Sequence, residues 1–260
     1  MKAAAVAGAV VLGVWVMVAW ALVEEQPSVG AFASVLGVLG IWYAAAAAAI
    51  AYHAPRVARG PDLPARLAAF ATAGRRGPSA DWGVAMRAEL ASIDDPRERR
   101  TFALGCAWAD LRTGLGRGPL LTGAVAALAF AIITFVASRV MLSGDRTGLL
   151  GVVLLGVPQL LFAAVGLLTA RRTGSFRTGL EYGAVVLLAA LAGILVVAIP
   201  ESVRWYDEAR VFLLDGDAPA NDIPNPTAAI RDALSGLTFF FLLFTTPWPV
   251  LGAHLGARVR

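Results

Sequence analysis

Apolar residues gather along this chain into six runs, near positions 3 to 23, 30 to 53, 119 to 141, 148 to 170, 179 to 199 and 234 to 256. A helix rises about 1.5 Å per residue, so runs of about 20 residues cross a hydrocarbon core about 30 Å thick. The pattern therefore predicts an all-α fold: one polytopic helical membrane bundle with six transmembrane helices, covering 1 to 260. Two longer polar stretches interrupt it. The first, 54 to 118, is a sizeable insertion between spans two and three. The second, 200 to 233, is a loop on the opposite side.

Within the insertion, 79 to 117 reads as an amphipathic helical hairpin. Trp82, Met86, Leu90 and Ile93 recur at spacings of four, four and three, which aligns them on one face. Ser79 is placed to cap this helix. The run stops at Asp94-Asp95-Pro96, where Asp95 suits an N-cap, Pro96 a first helical position and Glu98 the third residue of a capping box. The second helix carries Leu104, Trp108, Leu111 and Leu115 on one face and Phe102 and Cys106 nearly opposite, so it calls for two neighbours. Glu89 falls inside the apolar stripe of the first helix. There a carboxylate is costly unless paired, and Arg99, Arg100 or an arginine on a partner would serve, the alternative being a hydrated edge. In the outer loop, 201 to 214 reads as a short interfacial helix anchored by Trp205 and Tyr206.

Composition fits the membrane class, with 58% hydrophobic and 15% charged residues. The charges give an orientation. The N-terminus, 54 to 118, 171 to 178 and the C-terminus hold 17 Lys and Arg against 7 Asp and Glu, and the other side holds 4 against 10. By the positive-inside rule both ends and the insertion are cytoplasmic, in the cell inner membrane. Lys2, an apolar run and Ala19-Trp20-Ala21 also fit a cleaved secretory signal, which would leave five spans and an outside N-terminus. A basic balance suggests nucleic acid in a soluble protein. Here the arginines serve topology, and no nucleic-acid partner is expected.

Small residues suit close helix packing in lipid, and Ala4, Gly8 and Gly13 in span one and Ala44 to Ala49 in span two offer such surfaces. Two spans are interrupted. Pro158 with Gln159 breaks span four, and Thr245-Thr246-Pro247-Trp248-Pro249 predicts a kink in span six, with hydroxyls near the freed carbonyls. Pro158, Gln159, Thr245, Thr246 and Pro247 are thus kink or substrate-path candidates, since transporters build sites at broken helices. No charged residue stands at mid-depth beside them, because Arg139, Glu181, His53 and His254 all lie near span ends.

The segments Trp82-Gly83-Val84-Ala85-Met86-Arg87-Ala88-Glu89-Leu90 and Glu98-Arg99-Arg100-Thr101-Phe102-Ala103-Leu104-Gly105-Cys106 resemble a stretch of uncharacterised polytopic membrane proteins of high-GC bacteria. The resemblance spans about 35 residues in this pattern and implies a membrane family without an assigned activity.

No catalytic residue is assigned and no cofactor expected. Cys106 stands alone, which rules out an intrachain disulfide, and neither histidine is placed beside it by sequence. The chain has no phosphate-binding Gly-Lys-Ser/Thr loop, HExxH or CxxC. Gly114-Leu115-Gly116-Arg117-Gly118 lacks the preceding strand a dinucleotide site needs. Asp215, Asp217, Asn221 and Asp222 match a calcium loop only at its first two acidic positions, so a solvated turn is expected and no metal. Two function classes follow. One is a non-enzymatic membrane accessory or regulatory protein that docks a cytoplasmic partner through Trp82, Met86, Glu89, Leu90, Arg99, Arg100, Leu104, Trp108 and Leu111. The other is a six-span permease subunit of an exporter that works with a separate ATPase. An enzyme acting on lipid has least support.

Overall fold

A computed structural model describes residues 2–23, 36–73, 78–114, 117–142, 156–212, 216–217 and 226–258. The described chain is helical apart from one minimal antiparallel pairing, β1 (Val211–Phe212) with β2 (Gly216–Asp217). The helices are α1 (Lys2–Val23), α2 (Ile41–Val57, entered through a π-type turn at Leu36–Gly40), α3 (Leu63–Thr72), α4 (Pro78–Ser92), α5 (Pro96–Gly114), α6 (Arg117–Leu142), α7 (Val157–Thr173), α8 (Phe176–Ala209), α9 (Pro226–Thr245) and α10 (Pro247–Arg258).

Three stretches are long and apolar enough to cross a bilayer: Gly118–Val140, Phe176–Ala209, and Pro226–Arg258 with α9 and α10 taken together. Ala3–Ala19 is apolar but shorter. Residues 30–35 and 148–155, parts of expected spans two and four, lie outside the described residues. So do 24–29 and 218–225 in the expected outer loops.

The chain forms two compact units. The first comprises α1 to α5, the end of α7, the start of α8 and α10. Here Gly8 of α1 meets the Ala44 carbonyl and the Ala48 methyl of α2, an approach a larger side chain would prevent. Gly13 has open space around it and is exposed, so its expected packing role is not found. Gly256 on α10 approaches α7 so closely that a Cβ there would come within 2.2 Å of the Leu167 carbonyl oxygen. Ala46, Ala49, Ala170, Phe176, Val250 and Ala253 form the buried core that results.

The insertion is a group of three helices rather than a two-helix hairpin. Sequence reasoning passed over α3, which packs against both α4 and α5 more extensively than they pack on each other. Its start has a clear cause: Asp62 is extended and accepts the Ala65 N–H at 2.8 Å, and Pro64 occupies the first turn, where its missing N–H costs nothing. Ala68 of α3, Leu90 of α4 and Ala103 of α5 are buried together. Sequestering Leu90 alone contributes about 1.5–3 kcal/mol. α4 is already helical at Pro78, one residue before the expected cap Ser79. α5 begins where expected, with the Asp95 carboxylate accepting the N–H groups of Arg97 and Glu98.

The second unit holds α6, the start of α7, most of α8, and α9. Gly193 of α8 lies so close to α6 that a Cβ would come within 2.1 Å of the Ala127 carbonyl oxygen. Phe130, Phe162 and Phe241 cluster with ring centroids 5.9–6.5 Å apart. The expected surface helix after 201 does not exist as a separate element: α8 continues through Pro200 to Ala209. Trp205 and Tyr206 are buried, not interfacial. Their burial follows from a polar knot. The Glu201 carboxylate accepts Ser138 Oγ at 2.6 Å and an Arg139 guanidinium at 2.7 Å, and Trp205 Nε1 donates to Ser138 Oγ at 3.0 Å. Burying a carboxylate this far is costly without such hydrogen-bonding partners.

Candidate functional site

The docking candidates do not share one face. Leu90 is buried, Trp82 and Met86 are half-buried, and Glu89 is exposed. The expected Glu89–Arg99 pair is absent, because Arg99 is used elsewhere. Its Nη2 and Nε reach Asp62 at 2.8 and 3.2 Å, and its Nη1 donates to the carbonyls of Leu90 and Ile93 at 2.6 and 2.9 Å. One planar guanidinium therefore ties the end of α4 to the start of α3. Glu89 itself is exposed rather than buried in an apolar stripe. Arg100 is exposed as well.

On α5 the inward face is Ala103, Cys106 and Asp110, and the bulkier stripe points away: Leu104 is 61% and Trp108 55% exposed. Leu111 continues α5, its side chain outside the described set. Cys106 lies 3.6 Å from Met86 Sδ, and burial pushes its thiol pKa up, which fits a packing role.

Asp110 is the residue that sequence reasoning missed. It pairs with Arg177 Nη2 at the start of α8, and the two side chains are only 5% and 8% exposed. Arg177 Nη1 also donates to the Ala73 carbonyl at 2.8 Å, and Glu181 stands 3.8 Å away. The signal was an aspartate three and four residues beyond the small residues Ala107 and Cys106, on the face that Ala103 begins.

Beside this ion pair the first unit forms an open cavity of about 890 Å³. Its walls come from the end of α2, from α3 and α4, from the turn between α7 and α8, and from the end of α10. Arg56, Arg59, Arg87 and Arg258 line it, and among the described residues no carboxylate does. Two of these cations flank Tyr52, with the Arg56 and Arg258 guanidinium carbons 3.7 and 4.8 Å from the ring centroid. Arg87 donates to Thr72 Oγ1 at 2.9 Å. His53 Nε2 and His254 Nδ1 are 3.0 Å apart, one donating and one accepting, and His53 stacks on Phe176 at 4.1 Å. At least one of these rings must be neutral to accept that bond.

The turn that forms one wall is short for a stated reason. Gly174 ends α7 at φ 66°, a left-handed conformation glycine adopts without strain, and its N–H caps the Ala170 carbonyl at 2.7 Å. Ser175 then caps α8, its Oγ accepting the Thr178 N–H at 3.3 Å. The positive end of a 34-residue helix thereby opens into the arginine-lined space.

The kink candidates divide. Pro158 is buried at the second position of α7 and Gln159 is half-buried, while the chain before 156 lies outside the described residues. The expected interruption of span six falls at Thr246, between α9 and α10. Thr245 and Pro247 are buried and Thr246 is exposed. The two hydroxyls donate to the carbonyls of Phe241 and Leu242, one turn back, a pattern that bends helices. Asp215, Asn221 and Asp222 lie outside the described residues, and Asp217 sits in β2. Among the described residues no three His, Cys, Asp or Glu side chains form a metal-holding group. Compared with family models, curated proteins and solved structures, the chain matches none.

Proposed function

We propose that the chain is a six-span protein of the inner membrane, with both ends cytoplasmic, that acts without chemistry of its own by presenting its insertion to a cytoplasmic protein. The observation that carries this reading is the outward stripe of Leu104 and Trp108 on α5. The opposite face of the same helix is engaged by α3 and by the buried Asp110–Arg177 pair. A helix anchored this firmly on one side and apolar on the other suits a rigid docking surface. Orientation draws support from the cavity, because the end of α2, the turn after α7 and the end of α10 meet there, and charge asymmetry had assigned those segments to one side.

A photo-crosslinking residue at Leu104 in the full-length protein tests the reading. It predicts a discrete protein adduct that Trp108→Glu abolishes while the melting temperature stays unchanged. Adducts with lipid alone, or a protein adduct indifferent to Trp108→Glu, would refute it. A second reading, a permease subunit working with a separate ATPase, is favoured by the helix break beside buried Thr245. Substrate movement in vesicles that depends on a co-purifying ATPase would select it.

A further inference from the structure

We infer that the open cavity lined by α2, α3, α4, the α7–α8 turn and α10 is a binding site for a phosphate group. Four guanidiniums face it from three different helices: Arg56 and, just past the same helix, Arg59, then Arg87 on α4 and Arg258 on α10. Of the acids on the surrounding elements, Asp81 and Glu89 of α4 are exposed and do not line the cavity, and the others hold arginines outside it. Asp62 holds Arg99, and Asp110 and Glu181 hold Arg177. Among the described residues the cavity thus concentrates positive charge with no carboxylate on its walls, an arrangement that draws in an anion.

Phosphate is the anion the donors match. Arginine presents a planar fork that bonds tetrahedral oxyanions two points at a time, and several forks converging from different directions suit a group with oxygens on every side. The start of α8 adds backbone polarity of the same sign, aimed through Gly174, Ser175 and Phe176. Tyr52 holds Arg56 and Arg258 on its ring, so two of the forks are positioned before any ligand arrives. The volume exceeds what inorganic phosphate fills and leaves room for an attached organic group. Two sources carry this chemistry: a soluble phosphate ester, or the headgroup of an anionic phospholipid in the adjoining leaflet. The site is separate from the outer face of α5, so it stands or falls independently of a docking partner.

The test uses the full-length protein in two settings. In dodecyl maltoside, inorganic phosphate is titrated and the melting temperature followed. In nanodiscs of phosphatidylcholine and phosphatidylglycerol, the lipid that stays with the protein on extraction is counted by native mass spectrometry. The expected result is a saturable stabilisation by phosphate, or retention of phosphatidylglycerol at fixed stoichiometry. Either should weaken about tenfold for each guanidinium neutralised, the worth of one charge-assisted bond. Arg56→Gln with Arg258→Gln is the primary variant. Arg59→Gln, at an exposed position, keeps the test valid if the double variant misfolds, and Arg97→Gln, exposed and outside the cavity, should change nothing. Binding in detergent alone assigns a soluble phosphate ester, and binding in the nanodisc alone assigns a lipid headgroup. The inference is overturned if the folded protein binds neither probe, or if Arg59→Gln and the double variant bind as tightly as the parent.

Discussion

Replacing Asp110 with asparagine leaves the shape of α5 intact and removes the charge that faces Arg177. Both side chains are nearly inaccessible, so the guanidinium left behind cannot recover its hydration. Two unit charges about 4 Å apart attract by about 4 kcal/mol at an effective dielectric of about 20. Removing one member of a buried pair costs about 3–5 kcal/mol. The Ala73 carbonyl and Glu181 at 3.8 Å remain to Arg177, which sets the expected loss at the lower end, about 3 kcal/mol. For a chain of this size that lowers the melting temperature by about 6–12 °C. Thermal unfolding of the full-length protein in detergent, followed by fluorescence-detected size exclusion, measures the shift. Tryptic cleavage after Arg97 and Arg100, both exposed on α5, should accelerate in parallel as the insertion loosens. Joining Asp110→Leu to Arg177→Met should recover most of the loss, because an apolar pair needs no compensation. A shift below about 2 °C for Asp110→Asn would refute the claim that this ion pair fastens the insertion to α8.

Three other outcomes are expected. Gly83→Ala places a methyl 2.7 Å from the Thr72 Cβ, a branched side chain with little freedom to yield, and should cost about 1–3 kcal/mol in the same melting assay. Cys106 should resist maleimide in the folded protein and react promptly in denaturant, since burial both hides the thiol and raises its pKa; rapid native labelling would contradict its placement. The Ala65 N–H first, and Arg99 with it, hold the Asp62 carboxyl below the usual carboxylate range. Its folded pKa is depressed, so the stabilisation is complete above about pH 4 and fades as pH falls through the lowered value. Melting curves of the parent and Asp62→Asn should therefore differ at neutral pH and converge in acid.

The helical class and most helix positions were legible because long apolar runs and cap residues act locally. Asp95 and Pro96 start α5 as their chemistry dictates, and the chain breaks at Thr246 where two prolines follow. The cap signature Asp62-Leu63-Pro64 was equally local, and it was passed over because α3 is short and alanine-rich. What sequence could not supply was the direction of each face. Leu104 and Trp108 make a convincing apolar stripe, yet the inward face of α5 is built from Ala103 and Cys106. Backbones as close as those of α3 and α5 admit only small side chains between them. The cavity was invisible for a similar reason: its arginines are spread from Arg56 to Arg258, and topology alone explained each of them singly.

The bond between His53 and His254 joins residues 201 positions apart. During synthesis α2 is therefore made long before the helix that completes its surroundings. Until α10 arrives, Arg56 and Arg59 stand beside a half-built wall, and the close seat for Gly256 on α7 stays empty. Contacts of such long sequence separation form late and lose the most loop entropy on closing. The first unit thus closes around its final helix as a keystone, and damage to α10 would be felt in the earliest segments of the chain.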